Sequence, residues 1–153
     1  MADELTLSEA ERRTLAPWVA DCAERVLATF EVQAPGDARP REAIDGLRAF
    51  ADGRVSVERM TVLAAAAHSA ARETREPRAV AAARAAGHAA AVAHTGSHAR
   101  GVIYAAKAST DPDAELDWQV EHASDEVKAI LNRLPMPRDE ARTLIGRLAA
   151  RLG

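Results

Sequence analysis

Residues 76–109, EPRAVAAARAAGHAAAVAHTGSHARGVIYAAKAS, restrict the fold of this chain more than any other stretch. Alanine is the best helix former and a poor strand residue, and a run this dense cannot supply bulky core side chains. The stretch predicts one helix over 77–109, begun by Glu76-Pro77 and stopped by Asp111-Pro112. On a helical wheel His88, Val92, Thr95, Ala99, Val102 and Ala106 share one narrow arc. Beside it run Gly87, Ala91, His94, His98 and Ala105, with Gly101 at the margin, forming a shallow groove that carries two histidines. Small residues let a neighbouring helix approach closely, so this helix is the expected central post of an all-α bundle.

The flanking patterns also have a period near 3.6 and predict about six helices in a single domain over 1–153. Ser8 and Glu11 form a capping box for a first helix with Leu15, Trp18, Val19, Cys22, Val26 and Phe30 on one face. Pro17 lies inside that pattern, so the helix kinks there or a short first helix ends near Ala16. Gln33-Ala34-Pro35-Gly36-Asp37 is a turn, Pro40 opens the next helix and Gly53 closes it. Ser56 caps a third helix with Val57, Met60, Ala64, Ala67, His68 and Ala71 inward. After Asp111-Pro112, one helix is expected to carry Leu116, Val120, Ala123, Val127, Ile130, Leu131 and Leu134 inward. The rigid connector Leu134-Pro135-Met136-Pro137 leads to a last helix with Ala141, Leu144, Ile145, Leu148 and Leu152 inward. Its arginines, Arg138, Arg142, Arg147 and Arg151, are expected to be largely solvated.

Composition excludes several function classes. Aromatic residues make up only 3%, so the large anchors reduce to Trp18, Phe30, Phe50, Tyr104 and Trp118. A net charge of -3 argues against a general nucleic-acid binder, which needs a basic surface. One cysteine, Cys22, permits neither an internal disulfide nor a Cys-based zinc cluster, and it reads as a buried small hydrophobe. No run is long and apolar enough for a membrane span, and the acidic start MADELTLSEAERR lacks a signal-peptide core. A cytoplasmic protein without membrane or nucleic-acid partners is the expectation. No phosphate-binding glycine loop, GxSxG elbow or dinucleotide fingerprint is present.

Few residues remain as chemical candidates. His94 and His98, spaced i, i+4 on the expected helix, share a face as a metal pair does, and His68 is a third candidate ligand. No glutamate adjoins His94 as in the zinc-protease helix, and the same histidines also suit hydrogen bonding between helices. His88 reads as a core histidine. The expectation is therefore no metal, no cofactor and no catalytic residue. Trp118 lies off the inner stripe of its helix, together with His122 and Asp125. Either Leu5, Leu7 or the 111–113 turn covers the ring, or these three residues belong to a partner surface, for another protein or for a second copy of the chain.

Three blocks, LTLSEAERRTLAPWVADCAERVL, RPREAIDGLRAFADGRVSVER and ARAAGHAAAVAHTGSHARGVIYAAKA, followed by DWQ at 117–119, resemble a bacterial immunity-protein family of polymorphic toxin systems, the fifth-numbered immunity class. The resemblance covers roughly residues 5–134. It implies a small all-helical cytoplasmic protein that protects its cell from a cognate toxin, by binding and without catalysis, and it supplies no active site to carry over. A competing expectation is a helical metal- or small-molecule-binding protein or enzyme using His68, His94 and His98. A third is a scaffold that forms a homodimer through the Trp118 face.

Overall fold

The computed structural model describes residues 6–136 and 143–153. Among them are nine α-helices, one 3-10 helix and no strand, so the chain is all-α. The helices are α1 (Glu9–Glu24), α2 (Leu27–Gln33), α3 (Arg39–Ala51), α4 (Val57–Arg72) and α5 (Pro77–Ala91). The 3-10 helix Gly96–Gly101 follows, then α6 (Val102–Ala108), α7 (Pro112–Glu121), α8 (Asp125–Arg133) and α9 (Leu144–Leu152). None is long and apolar enough to cross a membrane.

Capping chemistry sets most of these boundaries. Ser8 accepts from the Glu11 amide while the Glu11 carboxylate accepts from the Ser8 amide, a complete capping box. α3 ends in a Schellman turn: Gly53, at φ 76°, donates to Phe50, and Arg54 donates to Ala49. Ser56, Glu76, Asp111 and Ser124 each accept from the amide three residues on, starting α4, α5, α7 and α8. α1 runs through Pro17 without ending, and the break comes instead at Arg25-Val26, before α2.

α5 is the central post, packed by α1, α2, α3, α4 and α6. Ten of its residues, Ala79, Ala81, Ala82, Ala83, Ala85, Ala86, Gly87, Ala89, Ala90 and Ala91, are buried, which leaves no wholly solvent-facing side. The larger core side chains come from its neighbours, among them Leu15, Phe30, Ile44, Leu47, Phe50 and Met60. Cys22 is fully buried among them, and burial pushes its thiol well above the ordinary range.

Two further expected continuities are broken. The helix expected over 77–109 ends at Ala91, turns, and resumes as the 3-10 helix and α6. Thr95 is extended at φ -143°, and the Leu7 side chain occupies the space where Gly96 would carry a Cβ. Thr95, Gly96 and Ser97 are all weak helix formers, so a corner here costs little. The single helix expected after Pro112 divides at His122–Ser124, where Ser124 caps α8. The inward face of α7 is also rotated from the expected stripe. Glu115, Leu116 and Gln119 are its buried residues, while Val120 is half-buried.

Of the last helix, Leu148 and Leu152 are buried as expected, whereas Ala141, Arg138 and Arg142 lie outside the described residues. Arg147 and Arg151 are not merely solvated. Arg147 pairs with Asp113, and Arg151 pairs with Asp113 and Asp117, which fastens α9 to α7.

Candidate functional site

Two groups of aromatic and imidazole rings collect most of the candidates, and each follows from how α5 or α7 is seated.

α7 is pinned by polar bonds. The Trp18 indole N–H donates to the Gln119 carbonyl at 2.8 Å, and the Gln119 amide nitrogen donates to the Val102 carbonyl at 2.9 Å. Burying Gln119 in this way turns Trp118 toward the end of α1. There the Arg25 guanidinium lies 3.9 Å from the Trp118 ring, and the His122 ring stacks on it at 4.0 Å and 17°. Arg25 is held in turn by a forked bond to Glu115, at 2.6 and 3.2 Å. The Trp118 ring is half-buried, and with Asp21, Glu24, Arg25, Arg48 and His122 it lines an open groove of about 360 Å³. Arg48 bridges Asp21 and Glu24 on the far side of the groove.

Of the three expected covers of Trp118, one is placed elsewhere and one lies outside the described residues, and the 111–113 turn does not line its groove. Leu7 is buried against Gly96, far along the chain from α7, and Leu5 lies outside the described residues. Arg25, which the sequence pattern did not single out, does the covering. Of the expected trio, Trp118 and His122 come together, while Asp125 begins α8 and is not part of the groove lining.

Four of the five histidines form a second group. Ring centroids are 5.0 Å apart for His68 and His88, 5.3 Å for His88 and His98, and 5.9 Å for His94 and His98. The Nδ1 atoms of His88 and His98 are 3.1 Å apart, so one proton is shared between two neutral rings, one donating and the other accepting. Tyr104 stacks on His88 at 4.9 Å and 4°. Two glycines make the room. A Cβ on Gly87 would meet the His68 ring at 2.6 Å, and one on Gly101 would meet the His88 Cβ at 2.3 Å.

Burial lowers the basicity of all three inner rings. His88 is brought down to about 4, first by desolvation and then by His68, His98 and Arg84. His68 and His98 are lowered for the same leading reason, with Arg72, Arg84 and Arg100 adding to it. The rings are therefore neutral at pH 7. His88, His98, Tyr104 and Ile145 share a largely apolar groove of about 440 Å³.

The structure does not gather His68, His94 and His98 around one point, because His88 stands between them. Among the described residues no three His, Cys, Asp or Glu side chains converge as a metal shell needs. The corner at 92–95 also removes the shared helix face that made His94 and His98 look like a pair. The His88–His98 contact was invisible to a helical wheel, where the two fall on different arcs. The small residues Gly87 and Gly101 were its only sequence trace.

With this geometry in place, comparison with known proteins gives one result. Residues 5–126 match the family described as Imm-5 like putative immunity protein. The chain belongs to that family. The Imm-5 like match takes in both ring groups and ends inside α8, leaving α9 beyond it. No curated protein and no solved structure matches the chain.

Proposed function

We propose that this Imm-5 like chain neutralises a cognate toxin by binding it directly, with no chemistry of its own. Family membership is the observation that carries the reading. The contact surface is the Trp118–His122 face of α7 and the start of α8. Support comes from the ring itself, a half-buried tryptophan beside an open groove, since tryptophans in that position often anchor interfaces. Support also comes from charge. Glu121, Asp125 and Glu126 are exposed around it, with no ion pair among the described residues, and they suit a toxin surface that is basic.

The experiment is co-expression with a toxin domain sought among the products of the neighbouring genes. The intact chain restores growth and co-purifies with the toxin, and the Trp118→Ala variant does neither while remaining folded. Sedimentation of the chain alone reports whether the same face pairs two copies instead. Full protection by Trp118→Ala would remove this surface from the account, and failure of the intact chain to bind the toxin would remove the function.

A further inference from the structure

The corner that breaks the long helix opens a third groove, which shares Ser97 and Arg100 with the groove beside His88 and His98. It holds about 360 Å³ and is lined by Thr6, Arg12, His94, Thr95, Ser97 and Arg100, among others, with no carboxylate among the described residues of the lining. Arg12 donates through Nε to the Ala93 carbonyl at 2.9 Å and through Nη1 to the Leu7 carbonyl at 2.7 Å. Arg100 is held in the same manner, through Nε to Ser97 at 3.2 Å and through Nη1 to Pro135 at 2.6 Å.

These two arginines are exceptional in this molecule. The other half-buried arginines described, Arg13, Arg39, Arg48, Arg147 and Arg151, are each paired with a carboxylate. Arg12 and Arg100 have none among the described residues, only backbone carbonyls. Carbonyl bonds fix each guanidinium in place without a compensating carboxylate among the described residues. Each guanidinium carries five N–H donors, and the carbonyl bonds engage Nε and one Nη, so donors remain on both. Capping the end of α5 explains why Arg12 is where it is. It does not explain why a chain of net charge -3 sets two guanidiniums with no carboxylate partner among the described residues, three hydroxyls and an imidazole around one concavity.

We infer that this groove binds a phosphate-type dianion, free or as the terminal group of a small ester. Two fixed cations match the charge of a phosphate near neutral pH better than that of a single carboxylate. The planar fork of arginine suits its oxygens, and Thr6, Thr95 and Ser97 supply neutral donors. A cavity of this size lies at the lower end for small-molecule sites, with room for a sugar phosphate. The inference does not depend on the toxin-binding reading, and its test uses no toxin.

The test is calorimetry and 31P NMR on the purified whole chain at constant ionic strength, with inorganic phosphate, ribose 5-phosphate and ribose as probes. Saturable one-to-one binding tighter than about 1 mM is expected for at least one phosphate probe and none for ribose. Equal binding of both phosphate probes identifies the free anion as sufficient, and preference for ribose 5-phosphate identifies an ester. Arg100→Gln should weaken binding at least ~10-fold, equivalent to about 1.4 kcal/mol. Arg54→Gln, an exposed arginine elsewhere, should leave it unchanged. Because Arg12 also ties Leu7 to Ala93, Arg12→Lys serves in place of Arg12→Gln if the latter unfolds, and it should weaken binding through loss of the fork. No saturable binding of either phosphate up to about 10 mM, or equal loss in Arg54→Gln and Arg100→Gln, overturns the inference.

Discussion

His88 lies 4.9 Å from Tyr104 with the rings 4° from parallel, and His122 lies 4.0 Å from Trp118 at 17°, yet the two stacks sit in different surroundings. The first is built into the bundle. Two glycines clear its space, two further histidines touch it in series, and Arg84, Arg72 and Arg100 raise the cost of adding a proton. The second sits at the end of α7, with an exposed histidine and a ring half open to a groove whose charges are mostly paired. Both stacks carry half-buried rings and border a groove, but the first is seated between helices by glycines and further histidines whereas the second stands at a helix end. Proximity of aromatic and imidazole rings does not by itself mark a site. What surrounds them does.

The largest expected contrast is steric. Gly101→Val should cost about 2–3 kcal/mol in a urea unfolding experiment, because its Cβ meets the His88 Cβ, an atom that cannot swing away. A stability within about 0.5 kcal/mol of the parent would mean that the inner stack is loosely held.

Next comes pH. The folded-state pKa of His88, about 4, lies below the ordinary value near 6.5, so the unfolded chain binds more protons between these limits. Stability is full above about pH 6.5 and falls as pH drops toward 4, with His68 and His98 acting in the same direction. The His88 contribution should be about 1–2 kcal/mol, below the full linkage value because the ring is only half-buried and partly screened by solvent. The carboxylates lowered by their arginine partners, such as Glu31 and Glu73, act mainly below pH 4.5, so the window from 6.5 to 4.5 reports the histidines. His88→Gln should flatten the melting temperature across that window, and His122→Gln should leave its slope intact.

Smaller effects belong to the outer stack. Trp118→Ala should cost about 1 kcal/mol, mostly through lost contact with Arg25 and the core edge. His122→Ala should stay within about 0.5 kcal/mol of the parent. A thermal melt showing Trp118→Ala as destabilising as Gly101→Val would erase the distinction between the two stacks.

How much of this was readable from the sequence varies along the chain. Ser8 with Glu11, Ser56, Glu76-Pro77 and Gly53 announced their helix ends because a cap is a local interaction between residues three or four apart. The interior breaks at Arg25-Val26, 92–95 and His122–Ser124 were hidden because apolar spacing continues across each of them. At 92–95 the decision is tertiary: Leu7 fills the space over Gly96, and Arg12 takes the Ala93 carbonyl. Gln119 misled the reading of α7, since a buried polar side chain breaks a hydrophobic stripe while a carbonyl 17 residues away takes its amide N–H and its Oε1 has no partner among the described residues. The candidate sites shared this limit. Trp118 with His122 was legible at i, i+4, whereas His88 with His98, and Arg12 with Arg100, meet only because the helix turns.

The most direct test of the account compares the two stacks in toxin binding. Purified Trp118→Ala and His88→Gln would be titrated side by side with the toxin domain that co-purifies with the intact chain, after each is shown to be folded. The account predicts at least ~10-fold weaker binding for Trp118→Ala, about 1.4 kcal/mol, and an unchanged affinity for His88→Gln. Weaker binding by His88→Gln with Trp118→Ala unaffected would contradict it and move the contact surface to the histidine groove.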